Sequence, residues 1–423
     1  MLMFWLSIGI FAVAYIFIVV EKIHRTIIAL VGAAIAIALG VISQEQAVNA
    51  IDFNTIGLLI GMMIIVGITR QSGVFEYLAI KAAKVARGKP LAILAALAVI
   101  TAVASALLDN VTTVLLIVPV TFAIADRLDV SPVPYLFTEI LACNIGGTAT
   151  LIGDPPNIMI GGATGLGFMD FLVNLAPPVI VIFVVITAIL IFVFRKDLDA
   201  SEENINQLMS LEEREYIKDW KLLKSSLAVL GLTMVGFLLH QALHLESATI
   251  ALLGASLLML IAGEDPEETL LTVEWPTIFF FAGLFIIVGG LEVRGVIEVV
   301  AEKALELTGG NLLHTGMLVL WLSAIASSFV DNIPFVATMI PLIQAMETMS
   351  SMPVEPLWWT LALGACLGGN GTLVGAAANV IVAGIAERYG NPIRFIDFLK
   401  IGFPIMLLTI LMAMVYLYLF YWT

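Results

Sequence analysis

Apolar residues run through this chain in long blocks, and polar residues collect in the short gaps between them. Blocks near 2–20, 26–43, 55–69, 133–161 and 169–194 approach or exceed the roughly 20 residues that a helix needs to cross a bilayer. Comparable blocks recur near 224–243, 247–263, 275–290, 356–385 and 400–422. Between the third and fourth block of the first set lie an amphipathic segment at 73–87 and two apolar arms, 90–108 and 111–125. The matching arms of the second set are 311–329 and 333–349. The runs are unbroken rather than alternating, so they predict helices, whose backbone hydrogen bonds close within the segment. The expected fold is an all-α polytopic membrane protein of about ten transmembrane helices plus two re-entrant hairpins.

The second set repeats the first. At an offset of 222 residues, "IALVGA" from Ile28 falls on "IALLGA" from Ile250, and "ASALLDN" from Ala104 falls on "ASSFVDN" from Ala326. "GGTATLIGDPPN" from Gly146 falls on "GGNGTLVGAAAN" from Gly368, after which the second copy gains five residues, since Pro177 matches Pro404. One unit has been duplicated. Residues 1–195 form the first repeat, with its hairpin at 90–125 and a broken helix at 133–161. Residues 224–423 form the second, with its hairpin at 311–349 and broken helix at 356–385. An odd number of crossings per copy predicts an inverted-topology duplication.

Composition supports this reading. The chain is 61% hydrophobic and 12% charged, with a mean hydropathy of +1.07, too little polar surface for a soluble protein of 423 residues. The net charge of −14 argues against a nucleic-acid partner. Two cysteines, Cys143 and Cys366, exclude a disulfide framework and leave no metal site expected. Lys22 and Arg25 follow the first apolar run rather than precede it, so an uncleaved first span is expected. With both termini on one side, every Lys and Arg except Arg294 and Lys303 falls on the other. Positive loops face the cytoplasm, which places both termini outside a cell (inner) membrane and the charged linker 196–223 inside.

The candidate chemistry sits where the apolar blocks are interrupted. A helix break within hydrocarbon survives only where protein or water meets the freed N–H and C=O groups. Glycine runs interrupt the fourth span of each copy, with Gly146, Gly147, Thr148 and Thr150 in the first and Gly368, Gly369, Asn370 and Thr372 in the second. Asp154 and Asn157 follow the first run, and Asn379 follows the second, where Ala376 takes the place of Asp154. The other breaks separate the paired arms, "LLDNVTT" (Asp109, Asn110, Thr112, Thr113) and "FVDNIPF" (Asp331, Asn332). Arms of about 15 residues rise only about 22 Å, short for a full crossing, so their tips are expected at mid-membrane. Half-helix N-termini there would offer partial positive charge, and carbonyls and carboxylates would offer oxygen to a cation or proton.

Plainer roles stand beside these. Asp109, Asp331, Asn110 and Asn332 could cap helices, and Asp154 could cap the helix restarting at Pro155. The glycines could serve close helix packing. Glu139, matched by Leu361, is a candidate proton site or an acid reaching the interface. The cysteines, at the glycine runs, read as small packing residues.

At "NIGGTATLIGDPPNIMIG" and "SSFVDNIPFVATMIPL" the chain resembles the ion transporter superfamily, most closely its arsenite-permease (ArsB) and P-protein-like branch. The superfamily also holds NhaD-type antiporters and citrate and dicarboxylate carriers. The resemblance implies re-entrant hairpins, broken helices, a homodimer and an elevator-like movement. Carboxylate carriers of the superfamily have Ser-Asn-Thr at both tips, where this chain has Asp109-Asn110-Val111 and Asp331-Asn332-Ile333. The expected function is secondary active transport of a small inorganic ion or metalloid, foremost proton-coupled efflux of arsenite or antimonite, with Asp109 and Asp331 carrying the proton. A Na⁺(Li⁺)/H⁺ antiporter is the alternative, and a citrate or dicarboxylate symporter comes third. No cofactor is expected beyond coupling to H⁺ or Na⁺. The expected partners are the solute, the lipid bilayer and a second copy, and a separate ATPase subunit stays open because no nucleotide-binding P-loop is present.

Overall fold

A computed structural model describes residues 1–20, 22–263 and 265–422. The described residues are helical throughout, without strands, and the helices fall in two series that follow the 222-residue register. The first series opens with α1 (Leu2–Val20), α2 (Arg25–Ala38), α3 (Gln44–Asn49), α4 (Phe53–Gln71) and α5 (Val74–Val85). It continues with the arms α6 (Pro90–Leu107) and α7 (Asn110–Leu128), the half-helices α8 (Val133–Gly147) and α9 (Pro155–Thr164), and α10 (Phe168–Phe194). The linker carries α11 (Glu202–Met209) and one 3₁₀ turn. The second series repeats the order as α12 (Trp220–Leu243), α13 (Ser247–Ala262), α14 (Pro266–Leu270), α15 (Trp275–Val293) and α16 (Val296–Thr308). Its arms are α17 (Leu312–Phe329) and α18 (Asn332–Met349), its half-helices α19 (Glu355–Gly368) and α20 (Ala377–Arg388), and α21 (Phe395–Phe420) closes the chain.

Local chemistry sets these boundaries. Ser43 and Gln46 form a capping box on α3, and Asp52 accepts from the Asn54 and Thr55 amides to start α4. Proline begins α6 and α9, where its missing N–H costs nothing. Gly73 and Gly295 both take positive φ (79° and 74°) between the third span and the amphipathic helix of their series, a conformation that a side chain would strain.

The two series are wound together. Helix α2 packs on α15 and α13 on α4, each a first-series element against its counterpart's neighbour in the second. Both crossings depend on a glycine. A Cβ at Gly61 would lie 2.6 Å from the Ala251 backbone, and one at Gly283 would lie 2.7 Å from the Ala29 backbone. Small residues let backbones approach closely, which supplies the dispersion that holds apolar helices together in lipid. Each hairpin arm packs beside its own half-helix (α6 on α8, α17 on α19), while α7 reaches α20 and α18 reaches α9 across the boundary.

The arms match their sequence blocks to within a residue or so except α7, which outruns 111–125, and all four exceed the length of about 15 residues from which mid-membrane tips were expected. Helices α6 and α7 have 18 and 19 residues, and α17 and α18 have 18 each, rising about 27 Å. Nine helices among the described residues are long and apolar enough to cross a membrane, and three of these are hairpin arms. Length therefore does not separate an arm from a crossing. Tip packing does: each tip ends against the interruption of a broken helix, as described below. The expected span 26–43 also stops short, because α2 ends at Ala38 and Gly40 turns with φ of 72°.

Candidate functional site

The two breaks are built alike. Asn157 Nδ2 donates to the carbonyls of Thr148 (3.1 Å) and Thr150 (2.8 Å). Its counterpart Asn379 donates to those of Gly369 (2.8 Å) and Thr372 (2.9 Å). Each asparagine supplies the donors that the broken helix removed from its own carbonyls, the requirement for irregular backbone in an apolar layer. Thr150 Oγ1 donates to the Ala106 carbonyl and Thr372 Oγ1 to the Ser328 carbonyl, both at 2.5 Å, which fastens each break to the end of its neighbouring arm. Thr148 turns back to the Asn144 carbonyl at 2.7 Å.

Glycine at these positions answers a close approach. A Cβ at Gly146 would lie 2.2 Å from the Ala102 carbonyl oxygen, and one at Gly368 2.7 Å from that of Ala324. At Gly147 it would meet Asn110 Oδ1 at 2.5 Å. At Gly369 the nearest atom would be the Ala376 side chain at 3.2 Å. Hairpin tip and helix break touch.

At the tips the two residue types divide their work differently from expectation. Asp109 caps α7, accepting from the Thr112 amide (2.8 Å) and hydroxyl (2.5 Å). Asp331 caps α18, accepting from the Ile333 amide (3.0 Å), and forms an ion pair with Arg25 at 2.5 Å. The asparagines, first residues of their helices, face the centre. Asn110 bonds with Ser105 and lies 3.5 Å from Asn144 Oδ1. Asn332 Nδ2 spans 178 residues to reach Asp154 Oδ1 (3.3 Å) and Oδ2 (3.4 Å). Asp154 occupies the cap position of α9 without making a side-chain cap bond. Thr113 lies buried with its hydroxyl unpartnered.

Asn144 escaped the sequence reading. Its Nδ2 donates to Asn370 Oδ1 and Asn379 Oδ1, both at 3.0 Å, and Asn370 Nδ2 is left without a partner. The matching residue is Cys366, whose thiol donates to Asn157 Oδ1 at 3.6 Å. Each first half-helix thus donates to the break-holding asparagine of the other series, so Cys366 is more than packing. The signal was available: a lone asparagine in an apolar span, one turn before a glycine run.

Arg25, Asp109, Asn110, Asp154, Glu274 and Asn332 line a cavity of about 30 Å³ between the tips, room for a small ion or one or two waters. Arg25 is the only basic residue lining it, and that charge is already paired with Asp331. Three carboxylates, those of Asp109, Asp154 and Glu274, therefore line the cavity without an ion pair of their own among the described residues. Glu139 is buried between α7 and α8, accepting from Thr121 Oγ1 at 2.5 Å with its second oxygen unpartnered. Its side chain is closed off from the surface, and it is not among the residues lining the cavity.

The likenesses to known proteins agree with this architecture. A family model described as "Citrate transporter" matches residues 15–364. An uncharacterized transporter of Mycobacterium tuberculosis is 46% identical over 421 residues, covering 98% of both chains. The P protein of Homo sapiens is 35% identical over 493 residues, which span 97% of this chain and 59% of that one. In fold, the chain is similar to the YdaH transporter of Alcanivorax borkumensis, whose crystal structure has an unusual topology. The TM-score is 0.60 at 14% identity, over 93% of this chain and 95% of the other. An integral membrane protein with this duplicated helix order and these relatives belongs to the citrate transporter (CitMHS) family of the ion transporter superfamily.

Proposed function

We propose that this chain is a secondary active transporter that exchanges protons for a small inorganic solute through the cavity between the hairpin tips, with Asp154 taking and giving the proton. One observation carries the reading: Asp154 is a buried carboxylate without an ion pair among the described residues, held by an asparagine from the opposite series. An intramembrane acid without a counter-charge exchanges a proton or a cation as a functional group, because its ionised form is costly unless something positive arrives.

Charge orders the solutes. Asp109, Asp154 and Glu274 face the cavity while Arg25 is committed to Asp331, so a monovalent cation such as Na⁺ or Li⁺ is favoured and a citrate or dicarboxylate anion is opposed. Arsenite, an uncharged triol at neutral pH, meets no such repulsion and finds hydrogen-bonding groups in Asn110, Asn332 and the break carbonyls. This second reading rests on the carboxamide-rich lining. In this reading the proton is placed on Asp154 rather than on Asp109, which caps α7, or Asp331, which is paired with Arg25.

The test is proton flux into proteoliposomes under an imposed pH gradient, on adding Na⁺, Li⁺, arsenite, phosphate or citrate in turn. Flux on adding Na⁺ or Li⁺, lost in Asp154→Asn, is the expected result. Flux with arsenite alone selects the second reading, and flux with citrate alone overturns both.

A further inference from the structure

The two hairpin tips occupy matched places in the duplicated chain, yet only one is fastened by charge. Arg25 Nη1 meets Asp331 Oδ2 at 2.5 Å, and the Arg25 guanidinium also sits 4.9 Å from the centre of the Phe280 ring. Beside this pair the Tyr15 hydroxyl donates to the Pro334 carbonyl. Arg25 and Tyr15 belong to α2 and α1, and Phe280 to α15, three helices that pack on one another, with α15 also touching the hairpin arm α18. Asp331 and Pro334 belong to the second hairpin's tip. The contacts therefore tie these helices to the tip of the second hairpin by an ion pair and a hydrogen bond.

The matched point on the first hairpin keeps the carboxylate but lacks its partners. Position 247, the counterpart of Arg25, is Ser247, and the counterpart of Tyr15 is Phe237. Asp109, the counterpart of Asp331, has no cationic partner among the described residues. A structural requirement of the hairpin would have left its mark in both copies. Arg25 also lines the cavity and begins α2 beside Lys22 in the loop after the first span.

From this asymmetry we propose that Arg25 is a tethered cation that occupies the second hairpin's carboxylate and shuts the site beside it, so that passage there requires the Arg25–Asp331 pair to break. This deepens the transport reading above and rests on it for its physiological meaning. A planar guanidinium suits the role: it stays charged at any physiological pH, and it can stack on Phe280 while bonding the carboxylate. The pair is partly buried, with the two side chains 22% and 9% exposed, so breaking it has a cost that a cation arriving at the carboxylate can offset.

The native thiol of Cys366 reports opening without any transported solute. It lies at the break, fully buried, and per-residue mass spectrometry separates it from Cys143. The experiment measures its rate of modification by a small maleimide in the full-length protein in proteoliposomes. Arg25→Gln and Asp331→Asn are each expected to raise that rate roughly tenfold. Arg25→Lys should fall between wild type and these, because charge is kept and the fork and stacking are lost. The charge reversal Arg25→Asp with Asp331→Arg should restore slow modification and shows, by being slow, that the fold tolerates both positions. Unchanged rates in the single neutral variants overturn the latch. So does a reversal that labels as fast as Arg25→Gln. Because no solute enters this assay, a flux panel that finds no transported ion leaves its outcome intact, and the reverse also holds.

Discussion

Asn144 and Asn379 share a hydrogen bond of 3.0 Å although 235 residues separate them. The bond matters because Asn379 is already giving both its amide protons to the Gly369 and Thr372 carbonyls. One side chain thus holds its own break and receives the other series. Replacing it exposes three groups at once.

Asn379→Ala is expected to destabilise the protein by on the order of 2–4 kcal/mol, since each buried polar group left unpaired costs roughly 1–3 kcal/mol. Thermal unfolding in detergent, followed by size-exclusion chromatography, measures this. Asn157→Ala should behave alike, because it too donates to two carbonyls of its own break, one of them, Thr150, matching Thr372. An Asn157 variant as stable as wild type would show that water or lipid serves those carbonyls instead.

Asp154→Asn should separate stability from transport. The amide keeps a neutral hydrogen bond to Asn332 and removes only the titrating group, so the melting temperature is expected near the wild-type value while proton-coupled flux disappears. Retained pH-gradient-driven flux would move the proton elsewhere, with buried Glu139 the first place to look.

Glycine substitutions discriminate between a break that needs space and one that needs only flexibility. Gly146→Ala places a methyl 2.2 Å from the Ala102 carbonyl oxygen, a backbone clash expected to cost about 3 kcal/mol or more. Gly384→Ala, on α20 with nothing within 4 Å of the added carbon, should be neutral or slightly stabilising. Similar melting temperatures for the two variants would contradict the packing described here.

The linker should come loose in acid. Lys84 Nζ donates to Glu213 Oε2 at 2.7 Å and to the Leu211 carbonyl at 2.8 Å, and the hydrogen bond from Lys84 holds the Glu213 carboxyl below the usual range. A group with a depressed pKa in the folded state adds stability above its unfolded value, near 4.3 for glutamate, and loses it as pH falls through the folded value. Limited proteolysis of 196–223 is therefore expected to accelerate below about pH 4.3 and with added salt. Glu213→Gln should raise cleavage at neutral pH and flatten the acid response.

Much of this architecture was legible in the chain because duplication wrote it twice. An offset of 222 residues carries α4 onto α15 and α6 onto α17 to the residue, and the glycine runs mark both breaks. The division of labour at the tips was not legible. Adjacent residues at a helix start point about 100° apart, so sequence could say that Asp109 and Asn110 lie at a tip but not which one faces inward. Arg25 gave no sign of its partner, because a basic residue after a span is the common signature of a cytoplasmic loop and Asp331 is 306 residues away. One arm was misjudged for a different reason: 111–125 stopped before Asp126 and Arg127, which the helix continues past to Leu128.

The exchanged donors of Asn144 and Cys366 have a consequence for how such a protein is made. Either repeat synthesised alone would reach the bilayer with an amide or thiol aimed at an asparagine that does not exist, and with Gly61 or Gly283 facing lipid in place of a partner backbone. Ribosomal order and structural order therefore disagree: the early polypeptide must wait, half-dressed, for its twin. A chain severed within the linker should recover only when both fragments are produced in the same cell, and each fragment by itself should be cleared by quality-control proteases.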